Sequence, residues 1–584
     1  AFCIKKIHEI APEVKVTGAL SNVSFNMPAR KYVNAGCMTV AVEAGLDSAI
    51  MDPCSSFMMG TLFAAEALSQ RDKGGRKYNR AFRKGMFKYD KGGHMPEIGF
   101  LPNPVSVKVS AGTSIQEAGR SAGLLLDAPC GGHGLCGKCK VKVGKQEVLA
   151  CQYQVEKDVT VILPEAPKST GILANGMESE FAVSPVKEGD CHISVDIGTT
   201  TVVVYLLDGK SGRILGSESM LNPQYPYGAD VISRIQAAEN GELDVQCRKI
   251  RQEIENLVHT LCRKYRKVPE KIGTMAIVGN PAMQQIFLKI APENLTHPPF
   301  APAIKKTVKE KLSDYFADMT GGVLLTVPDI AGFIGADTMG CVLSTGMYKE
   351  DNITLMIDIG TNGEMVLGNK DRMVACSTAA GPALEGGRIS CGMRGGPGAV
   401  DHIWMEDSTV YSSVIGRKEP LKKGTPVSDA EVQGLCGSGL IDAVAVMLDL
   451  GILNRRGRIQ KAYYGDEKNR IYAVTDQISL TQEDIREVQM AKGAIAAGIE
   501  LMMEELEITY EQVDRVILCG AFGTYMNAKS AARIGLIPEP LLSKVIAGGN
   551  AAGMGCRQIT MDQKLFALTG ELVQKIEPLD LASL

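Results

Sequence analysis

The sequence predicts a multidomain α/β protein, and three observations predict it. The N-terminal residues alternate short strands with helices. A glycine-rich segment around residue 130 gathers four cysteines between short alternating strands. One local unit, an apolar strand followed by Asp-Ile-Gly-Thr and a second apolar strand, occurs twice, at Asp196 and at Asp358. A length of 584 residues agrees with several domains at about 150 residues each.

Composition narrows the function. Hydrophobic residues are 45% and charged residues 22%, as in folded globular chains. Lys and Arg number 63 against 66 Asp and Glu, a net charge of -3, so no global attraction to nucleic acid or to an anionic membrane is expected. Aromatics are 5% with one Trp, which argues against a base-stacking surface. No apolar run reaches the ~20 residues of a membrane span; the best, Leu440 to Leu453, is broken by Asp442 and Asp449. Lys5, Lys6, His8 and Glu9 break any signal-peptide core. Sixteen cysteines, mostly scattered, read as the thiols of a cytoplasmic protein rather than a disulfide frame.

In residues 1–88, Leu20 to Asn26 reads as a short strand opening into a polar loop, 34–44 as a helix, Gly45 to Pro53 as a short strand ending near Asp52, and Ser56 to Leu68 as a Met-rich apolar helix. This alternation is expected of the end of a (β/α)₈ barrel, whose functional groups sit at strand C-termini. Arg71 to Lys91 is basic and reads as a solvated helix running into a linker at 89–102.

Residues 103–165 form the second domain. Cys130 and Cys136 are separated by five residues, Cys136 and Cys139 by two, and Cys151 arrives from a later strand. Gly131, Gly132, Gly134 and Gly137 let the loop curl with its N–H groups turned toward sulfide. The spacing is one residue longer than the plant-type C-x₄-C-x₂-C of a [2Fe-2S] cluster, so the loop should bulge. Structural zinc is the alternative, but it usually uses paired CxxC knuckles and only one is present. His133 lies within the loop and is expected to face solvent, four thiolates completing the ligand set. Strands are expected at 104–110, 140–143 and 159–163, and a short helix at 113–122.

After a linker at 166–191, residues 192–584 carry the repeated unit. Each copy reads as a β-hairpin with a tight polar turn. The glycines Gly198 and Gly360 should let backbone N–H groups reach phosphate oxygens, with Thr199, Thr200, Thr361 and Asn362 adding donors. Asp196 and Asp358 can hold Mg²⁺ or a water at the phosphates. Two later turns should line the same cleft: Gly520 to Gly523, between a buried strand and a helix, and Gly437-Ser438-Gly439, which opens another helix. Simple capping by Ser438 is the competing reading of the latter. The loop Cys376 to Gly387, with Glu385, is a third polar segment. No GxxxxGK[ST] occurs, which excludes a Walker-type site.

The two DIGT hairpins with Gly-Ala-Phe-Gly at 520–523 resemble the actin-like superfamily that includes acetate and sugar kinases, heat-shock ATPases and actin. Joined to an N-terminal iron–sulfur domain, they resemble the reductive activators of corrinoid proteins. Asn222-Pro-Gln224, Gly228 to Arg234, Val278 to Met283, Gly332 to Asp337 and Gly535 to Pro538 extend the match over residues 103–584. The resemblance implies a β-grasp ferredoxin-like domain, a duplicated actin-like ATPase domain and the cofactors [2Fe-2S], ATP and Mg. It further implies an electron passed through the cluster to reduce Co(II) to Co(I) on a corrinoid protein. The partners implied are that protein and a low-potential donor such as a ferredoxin; a homodimer is a further expectation. Members often carry another domain between cluster and ATPase; with only about 30 residues at 165–193, it is expected to be absent or reduced to a linker.

Gly18 to Pro28 and Gly45 to Pro53 resemble the C-terminal part of pterin-binding methyltetrahydrofolate:corrinoid methyltransferases, where the Asn matching Asn22 contacts the pterin. The expectation is that Ala1 is not the natural start and that the chain is a piece of a methyltransferase–activator fusion. Two other functions compete with the activator: a small-molecule kinase with a regulatory iron–sulfur domain, and a redox-sensing filament protein of actin type.

Overall fold

The computed structural model describes the chain apart from residues 1, 20–29, 51–54, 84–94, 103–104, 123, 125, 127–138, 145, 164–174, 229, 429–430, 465–470 and 580–584. It divides into two units, Ala1–Met95 and Pro96–Leu584.

The first unit runs α1 (Phe2–Ile10), β1 (Thr17–Ala19), α2 (Arg30–Glu43), β2 (Ser48–Ile50), α3 (Ser56–Leu68) and α4 (Arg76–Arg83), with β1 and β2 parallel. Helix α3 starts where the Ser55 hydroxyl accepts from the Met58 N–H. The core is small: Met38, Ala41, Val42, Leu46 and Ala65. Phe2, Ile10, Ile50 and Leu68 stay exposed, so this unit leaves much of its apolar surface uncovered.

The second unit opens with β3 (Glu97–Leu101), β4 (Val105–Lys108), β5 (Thr113–Ser114), α5 (Ile115–Ser121), β6 (Lys140–Val143), β7 (Gln146–Leu149), β8 (Gln154–Val155) and β9 (Val159–Ile162). The sheet order β4-β3-β9-β6-β7 sets β9 parallel beside β3, the β-grasp arrangement. The linker expected at 89–102 therefore contains β3. Ile98 and Phe100 alternate inward from it onto Ile115 and Ala118 of α5, and this alternation puts the strand in the core. Ser114 and Glu117 form a capping box at the start of α5, which shortens the helix expected at 113–122.

Residues 175–190, expected as linker, pack on the next fold: Met177 and Phe181 join its core, and the Ala182 N–H donates to Asp562 (2.9 Å). That fold begins with β10 (Cys191–Ile197), β11 (Thr201–Asp208), β12 (Ile214–Leu221), α6 (Val231–Ala237), α7 (Leu243–Tyr265), β13 (Ile272–Gly279), α8 (Pro281–Leu288), β14 (Val308–Lys311), β15 (Val323–Thr326) and α9 (Ala336–Thr345). Its second half contains β16 (Thr354–Ile359), β17 (Gly363–Gly368), β18 (Met373–Thr378), α10 (Gly381–Leu384), β19 (Ala399–Glu406), β20 (Thr409–Val414), β21 (Leu421–Lys422), β22 (Gly434–Leu435) and α11 (Gly437–Asp449). It closes with β23 (Tyr472–Ala473), β24 (Ser479–Leu480), α12 (Gln482–Glu505), β25 (Arg515–Cys519), α13 (Gly520–Tyr525), α14 (Ala528–Ile534), β26 (Val545–Gly549), α15 (Ala551–Met561), α16 (Gln563–Lys575) and β27 (Ile576–Pro578).

Two six-stranded sheets result, β12-β11-β10-β13-β15-β14 and β26-β25-β16-β17-β18-β27. In each, an antiparallel three-stranded meander is followed by two strands parallel to its first strand. Central strands such as β10 and β13 are buried along nearly their whole length because both faces are covered. One face of the first sheet meets α7, whose buried Cys247, Ile250, Ile254, Val258 and Leu261 recur at helical spacing. One face of the second sheet meets α11 and α12.

Between the sheets lie α9 and α15, sharing one core with Ala276, Val278, Met356, Val366 and Ile517. The two helices cross at Gly340 and Gly555. A Cβ on Gly555 would fall 1.9 Å from the Gly340 carbonyl oxygen, so the backbones touch directly. Among the described residues no helix is long and apolar enough to cross a membrane, and none of the thirteen described cysteines is in a disulfide.

Gly555→Ala is expected to force α9 and α15 apart and to destabilise by roughly 1–3 kcal/mol, read as a lower urea midpoint. Gly360→Ala, whose Cβ meets nothing within 4 Å, is the matched control and should leave the midpoint unchanged.

Candidate functional site

Each DIGT turn closes on itself. The Gly198 N–H donates to Thr201 O and the Gly360 N–H to Asn362 O, both at 2.9 Å. These two amides are thus engaged within the turns. A Cβ on Gly198 would lie 2.8 Å from Thr201 O, whereas Gly360 faces open space. Thr199 is buried, its hydroxyl accepting from Asn280 Nδ2 (2.9 Å) and its carbonyl from Arg234 (2.5 Å). Asn222 holds the same turn through Gly198 O (2.8 Å). Thr199 and the Gly198 carbonyl are therefore tied into the first half of the fold.

Thr200 and Thr361 instead meet each other. Their hydroxyl oxygens are 3.4 Å apart, and both hydroxyls reach the carboxylate of Glu385, Thr200 at 3.2 Å and Thr361 at 3.3 Å. The two turns converge on one cleft between the sheets.

Behind them stand Asp196, Asp337 and Asp358, with Asp329 and Glu364 buried nearby. Burial pushes Asp196 up to about 7, with a further rise from Asp337 and Asp358 against a hydrogen bond from Asn550. Burial likewise raises Asp358 to about 6, against the Cys341 thiol that donates to it (3.6 Å). Burial and then the Asp358 charge raise Asp337. Burial dominates Glu364 as well, which Asn362 and Ser377 hydrogen-bond. Clustered carboxylates that resist ionisation are the donor set a divalent cation satisfies.

The helices between the sheets supply these groups crosswise. Helix α9 follows the first sheet, yet its Asp337 is raised by the Asp358 charge on the second and its Cys341 thiol donates to Asp358. Helix α15 follows the second sheet, yet its cap residue Asn550 bonds Asp196 and the Tyr205 hydroxyl (3.0 Å) on the first.

Of the later glycine turns, the one at Gly520 packs on the second DIGT turn, while Gly437, Gly439 and Gly523 pack on neighbouring elements. Gly520 has φ 77°, and a Cβ there would sit 2.6 Å from Asp358 Oδ1. A Cβ on Gly437 would strike Leu384 O and the Phe522 ring, and one on Gly439 would strike Val400 O. Gly523 packs on Leu518. Ser438 is not the cap of α11: Cys436 occupies that position, and the Ser438 hydroxyl donates to Asp401 O (2.7 Å).

In the β-grasp domain, the Cys139 and Cys151 sulfurs are 3.2 Å apart, Cys139 buried and Cys151 half-buried. Two reduced thiols this close suit neighbouring ligands of one iron–sulfur centre. The Gln116 N–H at the start of α5 donates to Ala150 O (3.0 Å), tying the helix to the Cys151 segment. Cys130, Cys136 and His133 lie outside the described residues, as do Asn22 and Asp52. Arg120, on the same helix, lies 3.9 Å from Glu242 and over the Tyr227 ring at 5.9 Å. This contact borders a cleft of about 270 Å³ between the β-grasp domain and the first half of the larger fold.

Asp329, Asp337, Glu364 and Glu385 were not assigned roles from sequence. Asp337 and Glu385 stand inside motif stretches and Glu364 follows the second turn, whereas Asp329 has no local signal.

An iron–sulfur domain joined to an actin-like nucleotide fold defines the class. Residues 352–584 match the family described as the C-terminal domain of RACo, the ASKHA domain; residues 191–350 match the RACo middle region; residues 100–161 match the 2Fe-2S iron-sulfur cluster binding domain. The chain belongs to the reductive activators of corrinoid proteins. The corrinoid activation enzyme RamQ of Eubacterium limosum is 30% identical over 550 residues, covering 77% of this chain and 90% of the relative. The Co(II) methylated amine-specific corrinoid protein reductase of Methanosarcina barkeri is 26% identical over 407 residues, 66% of this chain and 72% of the relative. A solved structure, a reductive activator for corrinoid, iron-sulfur protein, aligns with a TM-score of 0.59 and 27% identity over 83% of this chain and 96% of its own. A methylcorrinoid:tetrahydrofolate methyltransferase of Eubacterium limosum is 50% identical over 82 residues, 14% of this chain and 30% of the relative. The middle-region match falls on the first sheet, within the repeated fold, and not on the stretch between the iron–sulfur domain and that fold.

The raised carboxylates set a pH dependence. With Asp196 near 7 when folded and 3.8 as its ordinary value, the folded state binds the extra proton between them, so stability falls as pH rises from about 4 through 7. Without divalent cations, Asp196→Asn is expected to be more stable than wild type at pH 8 by on the order of 2 kcal/mol. Urea titrations should show the gap closing toward pH 4.

Proposed function

We propose that this chain reduces the Co(II) corrinoid of a partner protein to Co(I) in an ATP-dependent step, restoring it for methyl transfer. The observation that carries the reading is the convergence of Thr200, Thr361 and Glu385 in one cleft, in the same folded unit as the Cys139–Cys151 thiol pair. The iron–sulfur cluster, when bound, supplies a one-electron relay between a low-potential donor such as a ferredoxin and the cobalt. Cys130, Cys136, Cys139 and Cys151 would hold it. Asp196 and Asp358 would organise Mg²⁺ at the nucleotide phosphates, which the Thr200 and Thr361 hydroxyls and the open side of Gly360 would receive. Gly437, Ser438, Gly439, Gly520 and Gly523 shape the wall around the second turn. ATP can drive an unfavourable reduction only by binding two conformations of the complex differently. Contacts from Arg234 to Thr199 and from Arg120 to Tyr227 connect the first turn's surroundings with the β-grasp domain.

The two sheets read as repeats of one actin-like unit, on the strength of their shared strand order. The domain limits follow as 96–165 for the iron–sulfur domain and 191–584 for the ATPase. Residues 1–88 read as part of a pterin-binding barrel, supported by the parallel β1–β2 pair and the 50% identity to the methyltransferase. Asn22 would then face the pterin. A cytoplasmic setting fits the described cysteines, none of which is in a disulfide.

The test is Co(II) reduction on candidate corrinoid proteins by the full chain with its cluster reconstituted, followed by the change in corrinoid absorbance. Reduction is expected only when both a low-potential donor and ATP are supplied; equal rates without ATP would sink the reading. Cys151→Ser should lose the visible cluster absorption and the reduction together. Asp358→Asn should keep the cluster spectrum and lose at least about 100-fold in ATP-dependent rate, a loss typical of a removed catalytic electrostatic group.

A further inference from the structure

Glu385 occupies a position the nucleotide reading leaves unexplained. It follows the short α10 and is the carboxylate that hydrogen-bonds the hydroxyls of both DIGT turns. Its backbone is fixed from both sides. Gly386, at φ 74°, is pressed against Met393, where a Cβ would meet the Met393 N at 2.9 Å, and Leu384 O packs against Gly437. The same closed loop brings round Arg394, whose guanidinium stacks over Tyr225 (4.6 Å); burial raises the Glu385 carboxyl above its ordinary range, and Arg394 and Arg234 act against that rise.

The chemistry of the cleft separates this carboxylate from the others. The charges of Asp337 and Asp358 raise Asp196 and that of Asp358 raises Asp337, and the three carboxylates together suit a cation. Glu385 instead meets two hydroxyls and the field of two arginines. Its contacts to those hydroxyls are long, 3.2–3.4 Å, so they can be exchanged for a water without loss of a strong bond. A terminal phosphate received by Thr200 and Thr361 would lie next to it.

We propose that Glu385 is the general base of ATP hydrolysis, holding the attacking water between the two turns. The water oxygen bonds to the γ-phosphorus as the bond from phosphorus to the β,γ-bridging oxygen breaks. The water proton passes to a Glu385 carboxylate oxygen, and ADP and inorganic phosphate leave. The assignment rests on the nucleotide reading above and adds a catalytic residue to it.

The experiment compares wild type, Glu385→Gln and Glu385→Asp as full chains with reconstituted clusters, measuring MgATP hydrolysis, affinity for a non-hydrolysable ATP analogue and the cluster spectrum. Glu385→Gln is expected to lower kcat by about 10²- to 10⁴-fold, with KM and analogue affinity within about threefold. The aspartate variant, which keeps a base on a shorter arm, should recover part of the rate. A glutamine variant that hydrolyses ATP at the wild-type rate overturns the assignment. So does one whose KM rises while kcat holds, which is the signature of a binding group, and so does equal loss in both variants. A wild-type chain that binds no analogue overturns the nucleotide reading itself, and this assignment with it.

Discussion

The backbone contact between Gly340 of α9 and Gly555 of α15 is the constraint on which the rest of the larger fold depends. Each helix belongs by sequence to one sheet and serves the other. Because the helices meet without intervening side chains, both sheets can close on a single thin shared core, and the strand ends carrying Asp196 and Asp358 come within electrostatic reach of each other. A methyl group at the crossing would widen the gap that sets those carboxylates in one cleft.

From that closeness follows the character of the site. Three half-buried aspartates crowded at one cleft hold their protons unusually well, which costs stability at neutral pH when nothing offsets the charge. Such a site trades stability for binding capacity. The threonines ahead of it divide the work. Thr199 is locked into the first half by Asn280 and Arg234, while Thr200 and Thr361 remain turned to the cleft.

Much of this was legible in the sequence, and for local reasons. A DIGT turn between apolar strands, three cysteines on a glycine-rich loop and a Gly-Ala-Phe-Gly step after a buried strand are each written in a short stretch of chain. What the sequence hid was spatial. Asp329 and Asp337 become site residues only because α9 and the loop before it are folded back over the second sheet. Glu385 reads as one more polar loop residue until Gly386 and Gly437 fix where it points. Strand β3 looked like linker because five residues carry too little pattern to stand out beside the basic stretch before them. The amides of Gly198 and Gly360 complete the turns, and Gly360 leaves open space beside the second one.

The glycine crossing also has a kinetic side. Helices packed through interlocked side chains must disengage ridges from grooves before they can pivot. At Gly340 and Gly555 the point of closest approach offers no such ridges. Small rotations of one sheet against the other about this point would meet little steric friction, while sliding along the helices would still be resisted by the flanking apolar side chains. The motion left soft is therefore a scissoring of the two halves, the one that changes the distance between Thr200 and Thr361.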